Sequence, residues 1–177
     1  MIDIRPYLNK QTLILGDVRS GKTKLTRQIL KAFIREGYES DVVVLDLAPE
    51  AFQGIGGKLM LPKVSPVRYL TANIHAPRLK AKDDAQMNRL AEENARMIET
   101  LFAKLDPERL SVVFVNDATL YLHAGDLSRF LSTIKPAATR IINAYSGVTF
   151  ADSALTLREK KLVEKLCRLS DRVIQLT

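Results

Sequence analysis

Cysteine is nearly missing from this sequence: Cys167 is the single one among 177 residues. An internal disulfide framework is therefore excluded. One cysteine and two histidines, His75 and His123, also cannot make the usual histidine/cysteine zinc site. So low a thiol count fits a reducing compartment, and a cytoplasmic location is expected. No run approaches the ~18 apolar residues of a membrane span. The opening MIDIRPYLNKQ mixes charges and has no apolar centre, so it is not read as a secretory signal. Tryptophan is absent and aromatic residues make up 6%. They are not interleaved with basic residues as a single-strand stacking platform would need, and no DNA- or RNA-reading motif is visible.

Acidic residues are missing from one stretch in particular. None lies between Glu50 and Asp83, where Lys58, Lys63, Arg68, Arg78, Lys80 and Lys82 contribute +6 of the formal +7. Two readings stay open for this basic field: an anionic partner held nearby, or a solvated loop.

The length suits one compact domain spanning 1–177, and 46% hydrophobic with 27% charged residues excludes intrinsic disorder. Short apolar runs alternate with segments of helical period, which indicates an α/β fold with a mostly parallel sheet. Six strands are expected, at Thr12–Leu15, Val42–Leu47, Val67–Leu70, Val112–Val115, Arg140–Asn143 and Val173–Leu176. They lack strict alternation, as strands covered by helices on both faces do. Leu25, Ile29, Ala32 and Phe33 form one helical stripe. A longer one runs from Met87 to Leu105, with Asn94 its polar member and Asp83 or Asp84 as N-cap. Asp126 caps a helix carrying Leu127, Phe130, Leu131 and Ile134. In the last helix, Thr156 and Glu159 have capping-box spacing, and Leu162, Val163, Leu166 and Leu169 form its buried face. Cys167 sits beside that face as a packing residue, and His123 reads as a surface or packing residue.

Residues 48–66 break the alternation. They carry three glycines and three prolines and no helical period, and are expected to form a loop or lid insertion at the carboxyl edge of the sheet. Gly54, Gly56 and Gly57 leave three readings open: an anion nest, a lid and a hinge.

The strongest signal is Gly16-Asp17-Val18-Arg19-Ser20-Gly21-Lys22-Thr23, which fits G-x-x-x-x-G-K-[ST]. It follows the apolar strand TLIL and opens the helical segment KLTRQILKAF. Glycines let the backbone curl around an anion, and successive amides then point inward. The helix N-terminus adds its dipole and unpaired N–H groups. Lys22 is expected to reach the β and γ phosphates, and Thr23 to offer its hydroxyl to magnesium. Arg19 and Lys24 lie in or beside the loop, where a phosphate or a neighbouring subunit is within reach.

Magnesium held on a triphosphate needs a carboxylate from a second strand. Asp117 is the candidate, because the apolar run ends just before it, although Asn116 fills the first polar slot. Asp46 and Glu50, after the second strand, are candidates for orienting water or accepting a proton. Asp46 followed by Pro49 also suits a strand-closing turn. Asn143 ends the fifth strand, as a phosphate donor or a turn amide. His75 lies after the third strand, where two readings stay open: a covalent phosphoryl or nucleotidyl role, or none.

Together these motifs resemble the RecA-type branch of P-loop NTPases. Within it the chain is most similar to the bifunctional cobinamide kinase/cobinamide-phosphate guanylyltransferase family. GDVRSGKT resembles that family's G-G-A-R-S-G-K-S, and Tyr69-Leu70-Thr71-Ala72 its Y-I-A-T. NDATLYL resembles D-C-L-T-L-W, and IINAYSG resembles V-S-N-E-V-G. The resemblance implies a three-layer, RecA-like P-loop fold and nucleotide binding at Gly16 through Thr23. It departs at three places. Asn116 stands where the family has its aspartate, Asn143-Ala144 replaces Asn-Glu, and the guanylylated histidine motif has no counterpart. Guanylyl transfer therefore does not carry over.

The expected function is a magnesium-dependent, ATP- or GTP-binding P-loop protein. It would be an NTPase or a phosphotransferase acting on a small anionic acceptor. The alternative is a RecA-like nucleotide-dependent switch or motor subunit, homo-oligomeric and associated with nucleic acid.

Overall fold

The computed structural model describes residues 2–52, 54–55, 57–61 and 66–177. Its centre is a six-stranded sheet in the order β3-β2-β4-β5-β1-β6, every neighbouring pair parallel. The strands are β1 (Gln11–Gly16), β2 (Val42–Asp46), β3 (Arg68–Thr71), β4 (Val112–Asn116), β5 (Thr139–Tyr145) and β6 (Arg172–Gln175). All six fall where the apolar runs place them, with ends shifted by one or two residues. The helices are α1 (Lys22–Arg35), α2 (Pro77–Lys80), α3 (Asp84–Phe102), α4 (Thr119–Leu122), α5 (Leu127–Ile134) and α6 (Ala154–Arg168).

Pleating divides the core in two. Leu13, Leu15, Val43, Leu45, Val113 and Val115 face one layer, where Ile98, Phe102, Tyr121, Phe130, Val163 and Leu166 of α3 to α6 cover them. Ile14, Val42, Val44, Val112, Phe114 and Ile141 face the other, against Ile29, Leu30 and Phe33 of α1. The result is a three-layer α/β fold consistent with a RecA-like arrangement. β5 separates the loop-bearing β1 from β4, the strand that leads into Asp117. The outermost strands β3 and β6 are partly exposed.

Asp83 caps α3 by accepting from the Gln86 amide, and Asp126 caps α5 through the Arg129 amide. The Thr156/Glu159 capping box is corrected. Ser153 caps α6, its hydroxyl accepting from the Thr156 amide at 3.1 Å. Thr156 and Glu159 both lie inside the helix and are buried. Spacing alone misplaced the cap because Ser153 supplies the same oxygen three residues earlier.

No helix crosses from β2 to β3 among the described residues. The segment after β2 is anchored by polar contacts instead. Lys58 Nζ donates to the Ala48 and Ala72 carbonyls and to the Thr71 hydroxyl, and Leu59 is fully buried in the α1 layer. Phe52 and Ile55 form an isolated bridge. Gly56, the middle glycine of the anion-nest reading, and Lys63 of the basic run lie outside the described residues. No helix among the described residues is long and apolar enough to cross a membrane.

Candidate functional site

β1, β4 and β5 all deliver their carboxyl ends to one cavity of about 250 Å³. Its walls include Val18, Arg19, Gly21, Lys22, Thr23 and Lys24 from the loop and α1, and Asp117 and Asn143 from the sheet edge. Ala76 to Leu79, Leu120, His123, Tyr145 and Phe150 complete the opposite side.

The loop is a tight turn. Ser20 N donates to the Asp17 carbonyl at 3.2 Å, Arg19 has φ 61°, and Gly21 has φ 92°. Glycine adopts the Gly21 conformation without steric cost. At Gly16 space is the constraint: a Cβ there would lie 2.2 Å from Ser20 Oγ. α1 begins at Lys22 with no side-chain cap and no acid in its first turn, so its end keeps free N–H groups and positive dipole.

Asp17 ties the loop to the turn after β5. Its carboxylate accepts from Val18 N at 2.6 Å, Thr149 Oγ1 at 2.6 Å and Val148 N at 3.0 Å. The Thr149 hydroxyl, then the Val148 and Val18 amides, hold its pKa well below the usual carboxylate range. Lys22 Nζ donates to the Asp17 carbonyl at 2.6 Å and lies 5.8 Å from the centre of the Tyr145 ring. Burial lowers the Lys22 pKa, against the opposing pull of Asp117 and Asp17. Arg19 reaches across to Gly54, where an added Cβ would lie 3.2 Å from its Nη2.

Asn116 and Asp117 part company at the end of β4. Asp117 has φ 59°, a left-handed conformation that turns the chain out of the strand, and it lines the cavity. Its carboxylate accepts from the Thr119 hydroxyl. Burial raises its pKa, opposed by Thr119, Lys22, His123 and Arg78 in turn.

Asn116 is fully buried in a polar chain along the sheet edge. Its amide donates to Asp46 Oδ1 at 2.8 Å and to the Gly57 carbonyl at 3.2 Å. Its oxygen accepts from Asn143 Nδ2 at 2.8 Å, and the same nitrogen donates to Thr26 Oγ1 at 2.9 Å. Asn143 Oδ1 takes the Asp117 amide at 2.7 Å. Asn143 thus borders the cavity while its amide is committed to the protein.

Asp46 is fully buried and accepts from Asn116, the Leu59 and Ala48 amides and the Tyr69 hydroxyl. It fastens the 48–61 segment and is not part of the cavity wall. Glu50 is exposed, also outside that wall, although its neighbour Pro49 belongs to it. His75 lies apart from the cavity. Its backbone is clamped by Asn94, and its Nε2 is 3.3 Å from Glu93.

The residues that spacing did not bring forward are Arg78, Tyr145, Phe150 and Glu159. The Arg78 guanidinium sits 4.0 Å from the Phe150 ring centre and 4.7 Å from that of Tyr145, and pairs with Glu159 Oε1 at 2.9 Å. His123 Nε2 lies 2.6 Å from Glu159 Oε2, with both side chains 1% exposed. A lone acid on the buried stripe of α6 was the available signal, and capping-box spacing masked it.

Among the described residues no cluster of three or more histidine, cysteine or acidic side chains could hold a metal by itself. Set against known families and curated proteins, the sequence matches no family model and no curated protein.

Proposed function

We propose that the chain binds a nucleoside triphosphate with magnesium in this cavity and transfers or releases its terminal phosphate. The observation that carries this reading is the loop itself. A strand–loop–helix unit of G-x-x-x-x-G-K-T sequence presents an uncapped helix N-terminus and the Lys22 ammonium to one concave site.

The residues present fit such a ligand. Gly21 and the first-turn amides suit phosphate oxygens, and Lys22 supplies a cation to the β and γ groups. Thr23 and Asp117, both on the cavity wall, suit a metal that takes its remaining ligands from phosphate and water. Magnesium, when bound, neutralises charge on the phosphate oxygens. Lys22 would leave the Asp17 carbonyl for the phosphates, and Asp117 would stay ionised beside the metal. ATP and GTP are equal candidates. The family resemblance in short patches, GDVRSGKT above all, supports nucleotide binding and gives no support to guanylyl transfer.

The basic segment bears on the alternative switch or motor. Lys58 is bonded to three oxygens of the chain, Arg68 to the Lys104 carbonyl, and Arg78 to Glu159. Three of the six charges thus serve internal contacts, which favours a small-molecule enzyme over a nucleic-acid-associated subunit, while Lys80 and Lys82 are exposed.

Phosphate release from Mg·ATP and Mg·GTP should be lost in Lys22→Ala while the variant keeps its fold by circular dichroism. Turnover at the wild-type rate in that variant would remove the assignment.

A further inference from the structure

The end of the cavity away from the phosphate loop carries a cation that the protein uses only in part. We propose that Arg78 there holds a carboxylate of a second substrate, whose two oxygens accept hydrogen bonds from its Nε and Nη2. The inference rests on the nucleotide reading above for calling this ligand the acceptor, and it names the group by which that acceptor is recognised.

The Arg78 side chain is 10% exposed and lines the cavity. Its Nη1 donates to Glu159 Oε1 at 2.9 Å. Nε and Nη2 donate to no group among the described residues, yet neither is sealed off as Nδ1 of His123 is. A nearly buried cation with open donors is costly, and an anionic oxygen is its strongest partner. Nε and Nη2 form one edge of a planar group, and a carboxylate matches that edge with two parallel hydrogen bonds. The guanidinium is held for such a ligand, packed 4.0 Å from the Phe150 ring centre and 4.7 Å from that of Tyr145.

Two features select a carboxylate over a phosphate. Glu159 already sets one carboxylate against the guanidinium, so a monoanion meets less repulsion there than a dianion. The surroundings, Ala76, Pro77, Leu79, Leu120 and Phe150, are apolar and suit a short carbon skeleton. The site adjoins the phosphate end, because Lys22 Nζ lies 5.8 Å from the centre of the same Tyr145 ring. An acceptor gripped by Arg78 therefore lies beside the phosphates that Lys22 would hold.

The test follows the Arg78 Nε–H resonance of the 15N-labelled full chain, assigned through the backbone. Butyrate, butyramide and methyl phosphate are titrated at constant ionic strength. Butyrate should move the resonance saturably, butyramide should leave it still, and methyl phosphate should bind more weakly than butyrate. Arg78→Lys keeps a cation against Glu159 and removes the planar edge. Followed through the Leu79 amide, that variant should bind butyrate ~10-fold or more weakly, the loss of one charge-assisted hydrogen bond. Equal responses to butyrate and butyramide, tighter binding of methyl phosphate, or unchanged butyrate affinity in Arg78→Lys overturns the proposal. Butyrate should also bind in the presence of saturating Mg·AMP-PNP or Mg·GMP-PNP. Its displacement by either would assign Arg78 to the phosphates of the nucleotide and overturn the proposal too. Failure of both nucleotides to bind, with the butyrate response intact, would remove the nucleotide reading and leave the carboxylate subsite standing.

Discussion

At the scale of single residues, Asp17 and Gly16 set the shape of the loop. Asp17 accepts three hydrogen bonds, and its pKa in the folded chain lies below its unfolded value. The folded state therefore favours the ionised form. The stability this contributes is present above the unfolded carboxylate pKa and lost as pH falls through the folded one. Asp17→Asn should destabilise the chain at pH 7, and the gap to wild type should narrow in strongly acid solution. Denaturant midpoints measured across that range check it. Gly16→Ala places a methyl 2.2 Å from Ser20 Oγ and 3.0 Å from the Leu176 carbonyl. Overpacking of this kind costs about 1–3 kcal/mol, read as a lower denaturation midpoint together with weaker nucleotide binding.

At the scale of elements, the turn before α6 decides how that helix starts. Ser153→Ala should cost about 1 kcal/mol in an unfolding titration, as N-cap losses do. Glu159 acts through its buried ion pair with Arg78 and its contact with His123, so its replacement should cost more than a cap. The strands and the main helices were legible because their apolar residues repeat with the right period. The phosphate loop was legible because a fixed spacing carries it. The short helices α2 and α4 were not, since four residues show no period. The roles of Asn116 and Asp46 were not legible either. Their partners lie 70 residues apart along the chain and meet only across the β2–β4 pair. Glu159 was misread for the same reason, with His123 36 residues away.

At the scale of the whole molecule, one buried polar chain joins Thr26, Asn143, Asn116, Asp46 and Tyr69, and so links α1, β5, β4, β2 and β3. It underlies the sheet edge from which the cavity opens. Asn116→Ala would leave Asp46 Oδ1 and Asn143 Nδ2 each short of a partner. Asp46 Oδ1 keeps the Ala48 amide and Asn143 Nδ2 keeps Thr26 Oγ1, so the expected loss is about 1–3 kcal/mol in all, measured by thermal or denaturant unfolding. A change below 0.5 kcal/mol would show that water replaces the amide without cost, against the expectation for so closed a site.

The proposed function requires this edge to hold a nucleoside triphosphate through Lys22. Calorimetric titration of Mg·ATP and Mg·GTP into the wild-type chain and Lys22→Ala tests it most directly. The wild type should show saturable one-site binding of at least one nucleotide, weakened ~10²-fold or more when a charge-assisted contact of about 3 kcal/mol is removed. Equal affinity in the two proteins, or no binding by the wild type, would contradict it.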